Sequence, residues 1–333
     1  MPTVQFSRYG PPDEVLEVVA DAPDPTPGAG EVVVALVAAP INPSDLYTIR
    51  GTYGIRPALP ATPGWEGLGR VVSLGEGVTH LAVGDRVLLV GASGTWRSRL
   101  VLPARGLVAL PPGDDLQLAM LGVNPPTAIC LLDEYAMLER GDWVVQNAAN
   151  SGVGTAVVAA ARARGVHTAS IVRREEAAEQ LRALGGDVAV VDGPKLAERV
   201  KEAVRAAGGD AARVRLGLDA VAGTATGKLM RCCAPGAVVV NYGALSGEPM
   251  VVDPRELIFL ETTLRGYWLS RWFERAPRDR QRAVMQEAAA LVASGALRTS
   301  VEATYPLAEA RAACAHAARE GRGGKVLLTE AAG

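Results

Sequence analysis

The sequence predicts a two-domain α/β protein, a compact, mostly antiparallel β barrel joined to a doubly wound parallel sheet. Three observations support this. At 333 residues the chain exceeds the size at which one hydrophobic core keeps growing. Its first third alternates short strand-like runs with Pro/Gly turns, and from residue 143 onward apolar runs alternate with amphipathic helical stretches.

In the first third the strand-like runs are 3–8, 16–19, 32–37, 69–74 and 86–90, separated by turns at 10–12, 23–30 and 75–77. Such spacing indicates a barrel. The later runs, 143–146, 169–172, 188–191, 216–221 and 237–241, are too apolar to leave one face in water. With helices expected at 153–164, 175–184, 196–206 and 225–232, they read as parallel strands covered on both faces. A last strand is expected at 263–269, a helix at 277–294, and a strand-like ending at 325–328 that rejoins the first domain. The expected boundaries are 1–118 plus 269–333 for the barrel domain and 119–268 for the other.

The most informative local feature is Val144-Val145-Gln146-Asn147-Ala148-Ala149-Asn150-Ser151-Gly152-Val153-Gly154, a buried strand that stops in small residues and reopens as a helix. Small residues let backbone approach an anion, and the free amides and dipole of the helix start favour a phosphate. Against G-x-G-x-x-G the chain offers Ala149, Ser151 and Gly154, so the match is partial and an ordinary strand-to-helix turn remains an alternative. The next strand ends in Arg173-Arg174 rather than in the acidic residue that holds a bare ribose hydroxyl, which favours NADPH over NADH. A cleft between the two domains is the expected meeting place of nicotinamide and substrate.

Composition narrows the function classes. A net charge of −2 and a pI near 6.0 give no electrostatic reason to expect nucleic acid or an anionic membrane as partner. No apolar run is long enough to span a bilayer, and the start lacks a basic, apolar leader, so a cytoplasmic protein is expected. The four cysteines, Cys130, Cys232, Cys233 and Cys314, have neither metal-ligand nor disulfide-framework spacing and read as core residues. His80, His167 and His316 sit beside no nucleophile.

Ile41-Asn42-Pro43-Ser44-Asp45, Gly64-Trp65-Glu66-Gly67 and Gly84-Asp85-Arg86-Val87 resemble the medium-chain dehydrogenase/reductase superfamily, whose members join a GroES-like barrel to a Rossmann domain. Its zinc alcohol dehydrogenases place a Cys in the first motif and a His where Trp65 stands. A catalytic zinc needs about three protein ligands, so the zinc-free branch is indicated. Gly51-Thr52-Tyr53-Gly54, Gly94-Thr95-Trp96-Arg97, Leu121-Gly122-Val123-Asn124-Pro125 and Trp268-Leu269-Ser270-Arg271-Trp272 are similar to the mitochondrial-type trans-2-enoyl-thioester reductases. The resemblance implies NADPH-dependent saturation of an enoyl-CoA or enoyl-ACP in fatty acid metabolism, by a homodimer paired through the edge strand at 263–268. It assigns Tyr53 and Trp268 to the reacting centre. It assigns Asn124, Ser151, Gly152, Val153, Gly154, Arg173, Arg174, Tyr242, Gly243, Ala244, Leu245, Tyr267, Trp268, Leu269, Ser270 and Lys325 to the nucleotide.

The chemistry fits a phenol. Hydride delivered to the β carbon of an α,β-unsaturated thioester builds charge on the α carbon and the carbonyl oxygen. A tyrosine, with an ordinary pKa of about 10, keeps its proton at neutral pH and can bond that oxygen or protonate that carbon. The flanking glycines suggest an irregular loop that turns Tyr53 toward a cleft; a tyrosine merely packed on the barrel is the alternative. Trp96, Trp268, Trp272 and Phe273 read either as an acyl tunnel or as core. Arg271, Arg275, Arg278, Arg280 and Arg282 read either as a receptor for CoA phosphates or an acidic carrier protein, or as a solvated helix face. Two other functions stay open: a zinc-free quinone or enone reductase, and a non-catalytic NADPH-binding or structural protein.

Overall fold

The computed structural model describes residues 1–19, 24–91 and 94–330; Pro23, in the expected turn at 23–30, lies outside them. The chain forms two compact units, residues 1–123 with 298–333, and residues 124–297.

In the first unit the strands β1 (Thr3–Phe6), β2 (Leu16–Val19), β3 (Glu31–Pro40), β4 (Glu66–Leu74), β5 (Arg86–Val90) and β6 (Arg99–Pro103) follow in sequence. The second unit supplies β7 (Trp143–Gln146), β8 (His167–Val172), β9 (Val188–Val191), β10 (Val214–Asp219), β11 (Val238–Asn241) and β12 (Thr263–Gly266). The chain then returns to the first unit with β13 (Val301–Pro306) and β14 (Lys325–Thr329). There the sheet order is β13-β14-β3-β4-β5 with β6 also on β3, and every pair is antiparallel except β13 with β14. The near-continuous apolar run of β3, Val32 to Ala39, follows from its central place, since it has neighbours on both edges and core on its faces.

The second unit is a parallel sheet in the order β12-β11-β10-β7-β8-β9. This is the doubly wound Rossmann arrangement, in which strand order reverses between the first and fourth strands, here β7 and β10. All four residues of β7 are buried, as the unbroken apolar run requires. Helices Gly152–Arg164, Glu175–Ala183, Leu196–Ala206 and Thr224–Cys232 connect the strands. No helix among the described residues is long and apolar enough to cross a membrane.

Several expectations need correction. The boundary near 268/269 lies at 297/298, because helix Arg278–Ala293 packs on helix Asn124–Asp133 and is ion-paired into the Rossmann unit. Arg280 meets Asp133 at 2.7 Å and Glu134 at 3.2 Å, and Glu287 meets Arg164 at 2.6 Å. The first boundary falls at 123/124, where that helix begins, rather than at 118/119. The strand expected at 263–269 ends at Gly266, and Trp268 caps a short helix, Leu269–Arg275. Trp96 lies fully buried within the barrel core and lines no tunnel. Of the arginine run, Arg280 is committed to Asp133 and Glu134, Arg271 to Glu274 and Arg282 to Asp279; Arg275 and Arg278 are exposed.

Candidate active site

In the Rossmann unit the candidate nucleotide-binding residues gather at the strand-order reversal. Ser151 caps helix Gly152–Arg164, its hydroxyl accepting from the Gly154 amide at 3.2 Å. Gly154 is obligatory: a Cβ there would lie 2.3 Å from the Ala149 carbonyl oxygen, so the helix starts as close to the strand end as backbone allows. Gly152 and Val153 form the first turn of that helix, with its free amides facing the reversal point. Arg173 and Arg174 are exposed just past β8, Arg174 at the N-cap of the next helix. The adjoining loop from Tyr242 through Gly243 and Ala244 to Leu245 is tied to the end of β10, where the Tyr242 amide donates to Asp219 O and the Leu245 amide to Ala220 O. Tyr242 lies beside Ser151 without closing a hydrogen bond, and burial holds its proton firmly in place.

Beneath the turn sits a carboxylate that spacing did not single out. Asp219 is fully buried and meets only donors. Its Oδ1 accepts from Asn147 Nδ2 (2.7 Å) and the amides of Val221 and Ala222, and its Oδ2 from Thr226 Oγ1 (2.6 Å) and Asn241 Nδ2 (3.2 Å). One side chain therefore ties together the ends of β7, β10 and β11 and the helix after β10. The signal was present: a lone carboxylate ends an apolar run at the carboxyl edge of a parallel sheet, where such folds place ligands.

Asn124 begins helix Asn124–Asp133. The Tyr267 side chain is turned inward, its ring edge-on to Tyr135 at 6.1 Å and its hydroxyl beside Cys130. Trp268, Leu269 and Ser270 are half-buried, and the Arg271 guanidinium lies 5.7 Å from the Trp268 ring centroid.

The barrel unit holds a buried charged network and a phenol. After β3 the chain enters helix Pro43–Arg50, with Pro43 at its first position and the Asp45 carboxylate accepting from the Asn42 amide at 2.7 Å. The second oxygen of Asp45 accepts from the Trp65 amide at 3.1 Å. Glu66, the first residue of β4, accepts from Asn42 Nδ2 at 2.7 Å and the Gly122 amide at 2.8 Å. Lys325, first in β14, donates from Nζ to Asn42 Oδ1. Because β14, β3 and β4 are neighbours, their ends bring Lys325, Asn42 and Glu66 together although the chain separates the outer two widely. Burial pushes the Asp45 carboxyl up to about 7 and raises Glu66; it lowers Lys325, which both carboxylates oppose. The half-buried ammonium assigned by resemblance to the nucleotide also takes part in this network. Tyr53 follows the helix, its amide donating to Tyr47 O, and its half-buried ring leans on Trp65 with centroids 5.7 Å apart.

The alcohol dehydrogenase GroES-like domain family matches residues 28–112, and the zinc-binding dehydrogenase family residues 152–293. The mitochondrial enoyl-[acyl-carrier-protein] reductase of Bos taurus is 35% identical over 91% of this chain and 81% of its own length. The chain belongs to the enoyl-reductase branch of the medium-chain dehydrogenase/reductase superfamily. This oxidoreductase also shares its fold with a quinone oxidoreductase from Pseudomonas syringae pv. Tomato DC3000, at 28% identity and TM-score 0.83 over 98% of this chain and 99% of that one. The Etr1p complex with NADP and crotonyl-CoA superposes with TM-score 0.87 at 24% identity, over 98% and 99% of the two chains.

The second family's description raises the question of zinc. The donors do not fit it. At the motif positions stand Asn42, Asp45, Trp65 and Glu66; both carboxylates already accept at least two hydrogen bonds each, and the Lys325 ammonium supplies the positive charge between them. The four cysteines are buried and free, packed in the cores as read from the sequence.

Proposed function

We propose that this reductase saturates the 2,3 double bond of trans-2-enoyl thioesters, enoyl-CoA or enoyl-ACP, with NADPH as reductant. The observation that carries the reading is Tyr53, braced on Trp65 in the Gly51–Gly54 loop of a chain 35% identical to an enoyl-[acyl-carrier-protein] reductase. When bound, NADPH would supply the hydride for the β carbon. The Ser151 to Gly154 turn holds the pyrophosphate on helix amides, and Arg173 and Arg174 hold the 2′-phosphate. Asn124, the 242–245 loop and the backbone of 267–270 would complete the nucleotide site, with Trp268 at its reacting end. Tyr53 hydrogen-bonds the developing oxyanion or gives its proton to the α carbon, the phenolate then regaining a proton from water, so no metal ion is needed to stabilise the charge.

The test follows NADPH absorbance with crotonyl-CoA and with a benzoquinone. Turnover of the thioester is expected, with NADPH preferred to NADH. Replacing Arg173 and Arg174 by alanine should raise KM for NADPH about tenfold or more and leave KM for NADH nearly unchanged, as the loss of charge-assisted bonds of ~1.5–3 kcal/mol requires. Likeness to the quinone oxidoreductase supports a second reading, and turnover of quinone alone would select it.

We further propose a homodimer. β12 is an edge strand of the Rossmann sheet, and exposed apolar side chains lie just before it: Leu257, Ile258 and Phe259, the last 73% exposed. Unpaired edges flanked by apolar surface invite a second copy. Light scattering on a gel-filtration peak should give about twice 34.6 kDa; a monomer at micromolar concentration overturns this.

A further inference from the structure

Trp65 is held more firmly than a half-exposed indole needs to be. Its amide donates to Asp45 Oδ1 at 3.1 Å and its Nε1–H to Thr48 Oγ1 at 3.0 Å, and Thr48 Oγ1 in turn donates to Ser44 O at 2.8 Å. Asp45 and Thr48 are buried on helix Pro43–Arg50, so both anchors are fixed. The approach is fixed as well. Gly64 sits at φ +106°, and a Cβ there would fall 2.1 Å from Thr95 Oγ1 and 2.5 Å from the Trp96 ring, so the backbone entering Trp65 packs closely on Thr95 and Trp96 and only glycine fits there. Tyr53 hangs from the same helix through its amide bond to Tyr47 O, and the two rings meet at a tilt of 54°.

We infer that Trp65 is a specificity-determining residue, a rigid apolar wall beside the Tyr53 phenol that admits short enoyl chains and turns away long ones. The inference rests on the enoyl-thioester reading. A thioester that gives its carbonyl oxygen to the Tyr53 hydroxyl lays its α and β carbons within a few ångströms of that ring, and therefore next to the indole. The first methyl or methylene groups gain apolar contact with the indole face. A longer tail meets a side chain that cannot swing aside without leaving Thr48, and a bulky group held by two hydrogen bonds and a blocked backbone excludes volume instead of yielding it.

The test compares kcat/KM for trans-2-butenoyl-CoA and trans-2-decenoyl-CoA in wild type, Trp65→Ala and Trp65→Phe, with NADPH binding and thermal unfolding as controls on folding. In wild type the shorter substrate should be favoured. In Trp65→Ala the decenoyl-to-butenoyl ratio should rise at least tenfold. Trp65→Phe, which keeps a ring against Tyr53 but loses the bond to Thr48, should lie between and provides the answer if the alanine variant does not fold. An unchanged ratio, or an equal fall in kcat for both substrates, overturns the inference, the latter because it makes Trp65 only a brace for the phenol. Wild type that reduces neither thioester but does reduce a quinone overturns the reaction assignment itself.

Discussion

Tyr53→Phe should lower kcat for crotonyl-CoA by about 10²-fold or more while KM for NADPH stays within about twofold, the loss a positioned acid or oxyanion donor incurs. The substitution removes one oxygen and keeps the ring that leans on Trp65, so the loop and the helix before it stay intact. On the proposed role the hydroxyl acts only once charge develops on the substrate, so its loss should appear in kcat and kcat/KM together and not in nucleotide affinity. Steady-state kinetics with both substrates varied checks this. An unchanged kcat would leave the phenol as a packing residue and move the acid elsewhere.

Lys325→Met should destabilise the barrel unit by ~3–5 kcal/mol, the loss typical when one member of a buried charged cluster is removed. The stem of the side chain is replaced by one of similar length, but Glu66 and Asp45 are left buried without a cation. The effect should depend on pH. Burial already raises both carboxyls, and losing the ammonium raises them further. A carboxyl whose folded pKa is raised stabilises the protein at low pH and loses that contribution as pH climbs through the folded value. The deficit of the variant should therefore be small near pH 5 and grow toward pH 8. Calorimetry across that range measures it, and adding Glu66→Gln should recover part of the loss. A deficit independent of pH, or no recovery, would show that the network is not held together by charge.

The legible parts of this chain were those whose signal is local. Runs 143–146 and 188–191 and the helix at 196–206 were read to the residue, because unbroken apolar segments and one-sided periodicity report burial directly. The turn at Ser151 to Gly154 was legible for the same reason: an apolar strand that breaks into small residues before an Ala-rich run marks a strand-to-helix turn. Strand β6 and strand β13 were missed. β13 alternates only half-buried and exposed residues, and β6 buries only Leu100, so neither carries a strong apolar stripe. Helix Pro43–Arg50 was hidden behind a motif read for its resemblance rather than for its Pro43 and Asp45 start signals. The placement of Arg278–Ala293 depends on Arg280 finding Asp133, and the buried network on Lys325 finding Asn42, pairings across the chain that no spacing rule exposes. Trp96 was ambiguous until its burial was known, since a core indole and a tunnel indole look alike in a sequence.

The seating of β14 between β13 and β3 bears on how the protein is made. The Rossmann unit is one continuous stretch and can close while the rest of the chain is still being translated. The barrel cannot finish its sheet until its last strand has cleared the ribosome, and that strand brings the sole ammonium of the cluster with it. Asp45 and Glu66 must wait in water, or protonated, for a partner synthesised more than two hundred residues later. Completion of this half thus follows closure of the Rossmann unit, set by arrival of β14 and not by the collapse of the earlier segments.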